Sequence, residues 1–277
     1  MEYVLNHNFL SESLQLIVGF YIYRKNIIYM KFIKKFEKDT EYVSYRNGNG
    51  YIKPNVSLSR DTKEVHYNYP IWDANGHEYV DLGLPSGTLW ATMNIGALKP
   101  SDYGKYFQWG DTSGYTSNQI GKEIDAKHFT WTDYKWRSSG DSDSNVAFSK
   151  YTTISATLEL EDDAAQVNWG GDWHMPTREQ LMELTSAANV TTAWTTSDGV
   201  SGMTFTSKKD ASKHIFIPSA GYAQKSSVHD SKSSGYVWSS MLSGSDKFGT
   251  CLKFVSGGSS FDDYFRYNGY SVRGVLG

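Results

Sequence analysis

Much of this chain consists of short strand-like runs separated by turn-forming residues. Residues 78–82 and 88–91 are two such runs, and Leu84-Pro85-Ser86-Gly87 between them is a turn signal. The pattern continues further along the chain, where strands are predicted at residues 193–195, 202–206, 214–218, 235–240, 250–255 and 270–275. A chain of this kind builds small sheets that are joined by many loops.

Helix signals are few. Residues 152–165 are compatible with a short helix that ends in the acidic run 159–163. The stronger prediction is a helix over residues 177–188, because Thr177 follows Pro176 and Gln180 stands three residues later, which is the capping-box spacing. Few helices among many short strands predict an α+β domain.

Composition excludes several classes of function. The net charge of −3 gives no basic field that would attract nucleic acid. The single cysteine, Cys251, excludes an intrachain disulfide and a cysteine-rich zinc site. Aromatic residues make up 15% of the chain, including 20 Tyr and 9 Trp, and such side chains suit both pleated sheets and recognition surfaces.

The N-terminal region divides into two parts. Residues 14–23 are apolar but too few to span a bilayer, which takes ~20 residues, and the positive charges of Arg24 and Lys25 follow the run instead of preceding it. We interpret residues 1–29 as an upstream extension ahead of a start at Met30; a strand, a packed helix and a membrane anchor are the alternatives. Residues 30–70 are polar and too few for a core of their own, which predicts an attachment and oligomerisation segment before the main domain at 71–277.

Six separated motifs follow one another in the main domain. They are EYVDLGLPSGTLWATMNIGA (78–97), DYGKYFQWGDT (102–112), LEDDAAQVNWGGDWHMPTREQLMEL (160–184), IFIPSAGY (215–222), GYVWSS (235–240) and YSVRGV (270–275). In this order they resemble the Fibrobacter succinogenes major paralogous domain, which is similar to C-type-lectin-like and formylglycine-generating-enzyme domains. The resemblance implies a C-type-lectin-like α+β domain over about residues 72–277, with short strands, few helices and long loops, preceded by a small β-rich segment.

The same group includes the variable proteins of diversity-generating retroelements, among them phage receptor-binding tips, whose diversified residues precede the final strand. The resemblance therefore implies a ligand-binding, hypervariable stretch here. Its residues are Ser259, Ser260, Phe261, Asp262, Asp263, Tyr264, Phe265, Tyr267 and Asn268. Aromatic side chains beside short polar ones make adaptable binding surfaces. The alternative interpretation is an ordinary exposed loop.

Motifs of known enzymes and metal sites are missing from the sequence. It has no Gly-rich phosphate loop, HExxH or G-x-S-x-G motif, and Cys251 in a strand-like context is predicted to be a small buried hydrophobe. The run 141–145 begins like an EF-hand loop, but Val146 and Thr152 replace its Gly and Glu. That run and the second acidic cluster, 161–163, are predicted to be solvated loops. We expect a non-enzymatic protein without a metal or another cofactor.

Residues 30–69 resemble the leading segments of structural proteins from phages of gut Bacteroidetes. The expected function is thus a virion adhesin, a tail or head fibre receptor-binding protein on the virion surface. Its partners would be a protein or glycan receptor on a host cell and, through residues 30–70, other virion proteins. A homo-oligomer is expected, with a trimer by analogy with fibres. A structural virion decoration and a bacterial cell-surface adhesin or lipoprotein remain alternatives.

Overall fold

The computed structural model describes residues 75–124 and 127–277 in full, and it describes the backbone of eight short strands within residues 1–74. The chain divides into two compact units, Met1–Trp72 and Asp73–Gly277. The predicted start at Met30 lies outside the described residues. Among the described residues, no helix has the length and apolarity needed to cross a membrane.

The described strands of the first unit form four antiparallel hairpins. In chain order they are β1 (Leu5–Leu10) with β2 (Leu14–Gly19), β3 (Tyr21–Tyr23) with β4 (Asn26–Ile28), β5 (Tyr45–Asn47) with β6 (Gly50–Ile52), and β7 (Asn55–Leu58) with β8 (Val65–Asn68). The apolar run at residues 14–23 is thus mostly extended.

Three three-stranded antiparallel sheets form the framework of the second unit. They are β9 (Tyr79–Asp81), β10 (Leu89–Asn94) and β23 (Arg273–Leu276); β15 (Val190–Ser197), β16 (Val200–Ser207) and β17 (His214–Pro218); and β20 (Ser234–Leu242), β21 (Phe248–Val255) and β22 (Gly258–Phe265). In each sheet the strand that comes second in the chain is central: β10 lies between β9 and β23, β16 between β15 and β17, and β21 between β20 and β22.

The rest of the described part of this unit contains three two-stranded ribbons, two α-helices and two short 3₁₀ helices. The ribbons are β11 (Lys105–Tyr106) with β12 (Tyr115–Thr116), β13 (Arg137–Ser139) with β14 (Ala147–Phe148), and β18 (Tyr222–Gln224) with β19 (Ser227–His229). The α-helices are α1 (Ala164–Trp169) and α2 (Arg178–Thr185), and the 3₁₀ helices are Trp131–Asp133 and Leu160–Asp162.

The expectation of an α+β, C-type-lectin-like architecture is wrong. Strands make up 41% of the chain and lie in several small antiparallel sheets; none of the sheets in the described residues closes into a barrel, and they match no specific fold. The two described α-helices have only six and eight residues. There are two physical reasons. Closely spaced turn residues interrupt the chain before long helices can form, and the many aromatic and β-branched residues favour pleated sheets.

The two helix predictions had different outcomes. Helix α2 confirms the capping box, since the Thr177 side chain accepts from the Gln180 backbone and the Gln180 side chain accepts from the Thr177 backbone. The helix expected over 152–165 is wrong: Ser155 has a left-handed φ of 59°, and α1 begins only at Ala164. There the Asp163 carboxylate accepts from two backbone N–H groups and thus caps the helix.

Tryptophan side chains anchor the core. Trp90, Trp109, Trp173 and Trp238 are fully buried. Trp169 is only partly buried. The indole N–H of Trp238 donates to the Phe107 carbonyl at 2.8 Å, and that of Trp109 donates to the Ser239 carbonyl at 3.0 Å. These bonds join the loop around Trp109 to β20 and so hold the sheet that carries the candidate site.

A buried arginine fixes the C-terminal strand. Arg273 in β23 is fully buried and donates to the Asn94 side chain at 3.0 Å, to the Ala91 carbonyl at 3.0 Å and to the Phe216 carbonyl at 2.9 Å. Its partners lie on β10 and β17, so one side chain links two of the three sheets. Buried guanidinium groups persist where neutral acceptors satisfy their donors.

Candidate functional site: a tyrosine-rich sheet face

The predicted ligand-binding stretch forms an edge strand and a turn. Residues 258–265 make up β22, which pairs with β21 in an unbroken antiparallel register from Val255↔Gly258 to Phe248↔Phe265. The alternation of small polar and aromatic residues in SSFDDYF is what a strand with two different faces requires. Residues 259–265 therefore form a strand instead of a loop, and their role in binding stays a prediction.

Strand geometry divides the seven predicted residues that lie on β22 between two faces. Because successive side chains of a strand point to opposite faces, Ser260, Asp262 and Tyr264 share one face. Ser259, Phe261, Asp263 and Phe265 share the other. Opposed residues of the two strands lie on the same face, so Cys251 of β21 shares the face of Asp262, and Leu252 shares the face of Phe261. The stretch does not form one continuous surface.

Four tyrosines meet on the first face, and we call Tyr222, Tyr236, Tyr264 and Tyr270 the tyrosine face. The ring centroid of Tyr236 lies 5.6 Å from that of Tyr264, 4.9 Å from that of Tyr270 and 5.5 Å from that of Tyr222. Tyr236 and Tyr270 are buried, whereas Tyr222 and Tyr264 are half-buried at the surface. The buried pair thus supports two rings that remain accessible to a partner.

Short polar groups surround the accessible rings. The Tyr264 hydroxyl donates to Asp262 Oδ2 at 3.3 Å, and the Ser260 hydroxyl donates to the same oxygen at 3.0 Å. Lys253, opposite Ser260 on β21, places Nζ 5.7 Å from the centre of the Tyr236 ring. The surface therefore offers a carboxylate, an ammonium group and phenol hydroxyls side by side, which suits recognition of a polar partner.

Burial keeps the phenols protonated. Burial raises the pKa of Tyr264 well above the ordinary value, and the neighbouring Tyr236 and Asp262 add to the shift. Burial likewise raises the pKa of Tyr236, with a further contribution from Asp230. Both hydroxyls are hydrogen-bond donors at physiological pH, and neither is poised for proton transfer.

The other predicted aromatic residues pack against the protein itself. Phe265 stacks on Phe248 at 4.7 Å, and Tyr267 stacks on Phe265 at 5.3 Å and meets Trp131 edge-on at 4.7 Å. The Arg178 guanidinium lies 5.7 Å from the Phe261 ring centre. These rings contribute to stability as well as to the surface, because each is partly buried against neighbouring side chains.

Asn268 is wrong as a ligand contact, because it is 5% exposed and its amide is engaged. Its Nδ2 donates to the Tyr270 hydroxyl at 3.3 Å, and its Oδ1 accepts from Gln224 Nε2 at 3.2 Å. The residue positions Tyr270 beneath the tyrosine face. Its polarity predicted exposure, but the contacts that bury it come from segments far along the chain.

Arg266, between Phe265 and Tyr267, is a buried anchor. Its guanidinium carbon lies 3.7 Å from the Phe148 ring centre and 5.1 Å from that of Tyr134, and Nη1 donates to the Tyr151 carbonyl at 3.1 Å. Burial lowers the pKa of Arg266. The cation is held mainly by aromatic faces, so the turn after β22 is fixed from inside the protein.

Sequence reasoning missed Tyr222, Gln224 and Lys253. Tyr222 and Gln224 lie on β18, which only tertiary packing brings beside β22. Lys253 lies on β21, the strand that forms a hairpin with β22. The isolated bridge between Ala223 and Gly269 places β18 next to the turn that follows β22. The motif IFIPSAGY included Tyr222, but nothing local to that motif indicates its partner strands.

Two lysines form ion pairs with the carboxylates of the acidic cluster that precedes α1. Glu159, Glu161 and Asp162 lie close enough to share a cation. Lys150 Nζ already lies 2.5 Å from Glu159, 3.5 Å from Glu161 and 2.6 Å from Asp162, and Lys135 Nζ lies 2.7 Å from Asp162. The two ammonium groups thus neutralise much of the negative charge of this cluster.

The other acidic run, residues 141–145, folds into a turn. The Asn145 side chain accepts from the backbone N–H groups of Asp141 and Ser142, each at 2.9 Å. Asp143 accepts from the Trp131 indole at 2.7 Å. These side chains stabilise the loop between β13 and β14, and their oxygens point to backbone and indole donors.

Neither Cys251 nor a polar cavity in the second unit offers a reactive group. The Cys251 thiol is fully buried, and burial raises its pKa well above the ordinary value, which makes it a poor nucleophile. A cavity of about 220 Å³ is lined by Gln108, Asp133 and other polar side chains. The half-buried Asp133 carboxylate accepts from Gln108 Nε2 and from the Thr130 backbone, each at 3.1 Å, so the protein itself supplies its hydrogen-bond donors.

Comparison with known proteins gives no relative: no protein-family model, curated protein or solved structure matches this chain. The function is therefore argued from the arrangement of the side chains.

Proposed function

We propose that Asp73–Gly277 is a non-enzymatic binding module that recognises a partner through the tyrosine face and its polar rim. The observation that carries the proposal is the position of Tyr222 and Tyr264, which are half-exposed and backed by the buried rings of Tyr236 and Tyr270. Rigid rings lose little conformational entropy when a partner covers them, and this favours affinity at a small surface.

The polar rim supports a hydrophilic partner. Asp262, Lys253 and Ser260 surround the accessible rings, and the Asp262 carboxylate is oriented by two hydroxyl groups. Such a mixture of oriented donors and acceptors suits a glycan or a polar protein surface. We propose a protein or glycan receptor on a host cell as the partner and a virion adhesin as the biological role; the role is supported by the phage-like N-terminal segment and the motif resemblance.

Two adjacent serines give a matched test of the proposed face. Ser260 lies on the tyrosine face and Ser259 lies on the opposite face of the same strand, and both are exposed. Ser260→Arg places a bulky charge beside Tyr264, whereas Ser259→Arg makes the same change on the other face. Serines are the better choice because alanine at Tyr264 also removes packing against Tyr236 and Tyr270.

The measurement is binding of the fluorescently labelled full-length chain to intact cells from a panel of Bacteroidetes strains, followed by flow cytometry. We expect Ser260→Arg to weaken binding to responsive strains by about tenfold or more, as for a residue at the centre of an interface. Ser259→Arg should bind like the wild type. Equal binding by all three proteins would remove the tyrosine face as the receptor site.

A further inference from the structure

Two eight-residue strands, β15 and β22, lie at the edges of their sheets. Neither has a paired outer edge within the described residues. They differ in how that edge is protected, because β22 carries Asp262 and Asp263 at its centre, whereas β15 reads VTTAWTTS and has no charge, proline or glycine. Charges, prolines and bulges are the usual means by which proteins prevent edge strands from pairing with another chain.

The hairpin geometry identifies the free backbone groups of β15. A two-residue loop, Asp198-Gly199, joins β15 to β16, and both of its residues have left-handed φ values, 50° and 77°. In such a hairpin the closing pair, Ser197↔Val200, exchanges hydrogen bonds, and every second pair after it does the same. The register is unbroken back to Val190↔Ser207, so the N–H and C=O groups of Thr192, Trp194 and Thr196 point away from β16.

The N-terminal end of β15 agrees with this assignment. The Val190 N–H, which belongs to the same outward-pointing set, donates to the Ser186 carbonyl at 3.0 Å instead of to β16. Along the rest of the strand Thr191, Thr192, Ala193 and Thr196 are exposed. Trp194 packs on the core with its ring 6.5 Å from that of Phe254, which holds the strand in place. The free edge is thus regular, accessible and anchored.

We propose that β15 pairs with β15 of a second copy of this chain, antiparallel and across a two-fold axis. The pairing would join two three-stranded sheets into one continuous six-stranded sheet and satisfy the outward backbone groups of both copies. β-branched and aromatic residues dominate the strand, and these are the types that stabilise cross-strand pairs.

Self-complementarity favours a second copy as the occupant. Opposed residues in an antiparallel pair lie on the same face of the sheet. A two-fold axis at Trp194 places Thr192 of one copy opposite Thr196 of the other. An axis at Ala193 places Thr191 opposite Thr195. Neither register brings two charges together. The same operation on β22 places Asp262 opposite Asp262 or Asp263 opposite Asp263, and like charges at opposed positions are destabilising.

The test compares Thr192→Pro with Thr192→Val in the full-length chain. Proline at position 192 removes an N–H that β16 does not use, so the hairpin is retained while the free edge loses a donor. Valine keeps both the N–H and the branched shape. Sedimentation over a concentration series should show the 31.2 kDa wild type and Thr192→Val doubling in mass, and Thr192→Pro failing to double.

If the first unit also associates, the wild type will sediment as a larger particle, and Thr192→Pro should halve its mass. The proposal is overturned if the wild type stays monomeric to its solubility limit, or if Thr192→Pro and Thr192→Val have the same mass at every concentration. If near-ultraviolet circular dichroism shows that Thr192→Pro has lost its fold, Ala193→Lys replaces it as the test variant. Ala193 is exposed, so this substitution adds a charge to the free edge of β15.

Hydrogen exchange provides a second measurement on the wild type. The amides of Thr192, Trp194 and Thr196 should exchange more slowly in concentrated than in dilute protein, whereas the amides of β22 should not change. Exchange at the three β15 amides that is independent of concentration contradicts the pairing.

Discussion

Asp162 shows how one residue resolves a conflict between burial and charge. Its side chain is 2% exposed, and it accepts from Lys135 Nζ at 2.7 Å, from Lys150 Nζ at 2.6 Å and from the Tyr151 hydroxyl at 2.7 Å. Burial acts to raise the pKa of Asp162, but these three hydrogen bonds outweigh it, and the pKa lies below its ordinary value. The carboxylate therefore joins the loop around Lys135 to the segment before α1.

A pH-dependent stability follows from this lowered pKa. A carboxyl whose pKa is lower in the folded than in the unfolded chain stabilises the fold above the unfolded value, about 3.9, and this contribution is lost as the pH falls through the folded value. We expect the wild type to lose unfolding free energy below about pH 4 more steeply than Asp162→Asn does. Urea denaturation at a series of pH values measures this.

Asp172 supplies the control, because it is an exposed aspartate. Asp172→Asn should keep the acid dependence of the wild type. Identical pH profiles for Asp162→Asn and the wild type would show that the lysine contacts do not stabilise the folded state.

Gly235 lies where a side chain from the neighbouring strand leaves no room for a Cβ atom. In β20, Gly235 lies opposite Phe254 of β21, and a Cβ at Gly235 would stand 1.9 Å from Phe254 Cζ. The Phe254 ring belongs to the main core and packs edge-on to Phe205 at 6.3 Å. The glycine thus provides the space for a large ring to cross the strand.

Substitution of this glycine should destabilise the sheet. Gly235→Ala forces either the Phe254 ring or the strand to move, and we expect a loss of about 2–4 kcal/mol in unfolding free energy. Gly244→Ala is the control, since a Cβ there has no neighbour within 4 Å, and its effect should be within about 0.5 kcal/mol. Chemical denaturation compares the two variants, and equal effects would contradict the packing role of Gly235.

At the scale of the whole molecule, the second unit is closed by strands from its two ends. β10 lies between β9, near the start of the unit, and β23, at the end of the chain. The His174–Val275 bridge adds a further contact to the last strand. Pairing between distant parts of the chain makes the unit depend on completing the whole topology.

Independent folding of Asp73–Gly277 is the corresponding prediction. Expressed without residues 1–72, it should unfold in one cooperative transition and keep the near-ultraviolet circular dichroism of its buried tryptophans, because its core clusters are internal to the unit. A non-cooperative transition with a lost aromatic signal would show that the first unit is needed for the core. Calorimetry and circular dichroism make the measurement.

Local signals in the sequence determined a substantial part of this structure. Turn residues and alternation located eight of the nine strands in the three framework sheets, all except β22, and the spacing of Thr177 and Gln180 located α2. Apolar surroundings correctly predicted that Cys251 is buried. Such features succeed because capping, alternation and turn conformation depend on residues within about four positions of one another.

Tertiary structure decided the architecture and the candidate site. No pattern local to SSFDDYF predicts that the face with Ser260, Asp262 and Tyr264 lies beside Tyr222, or that Asn268 is buried beneath it. The packing of β18 sets those contacts; Gln224 and Asn268, which are hydrogen-bonded, lie 44 positions apart in the chain, so no local pattern encodes them. Alternation established that β22 has two faces, but only its pairing with β21 established which face lies beside the tyrosines.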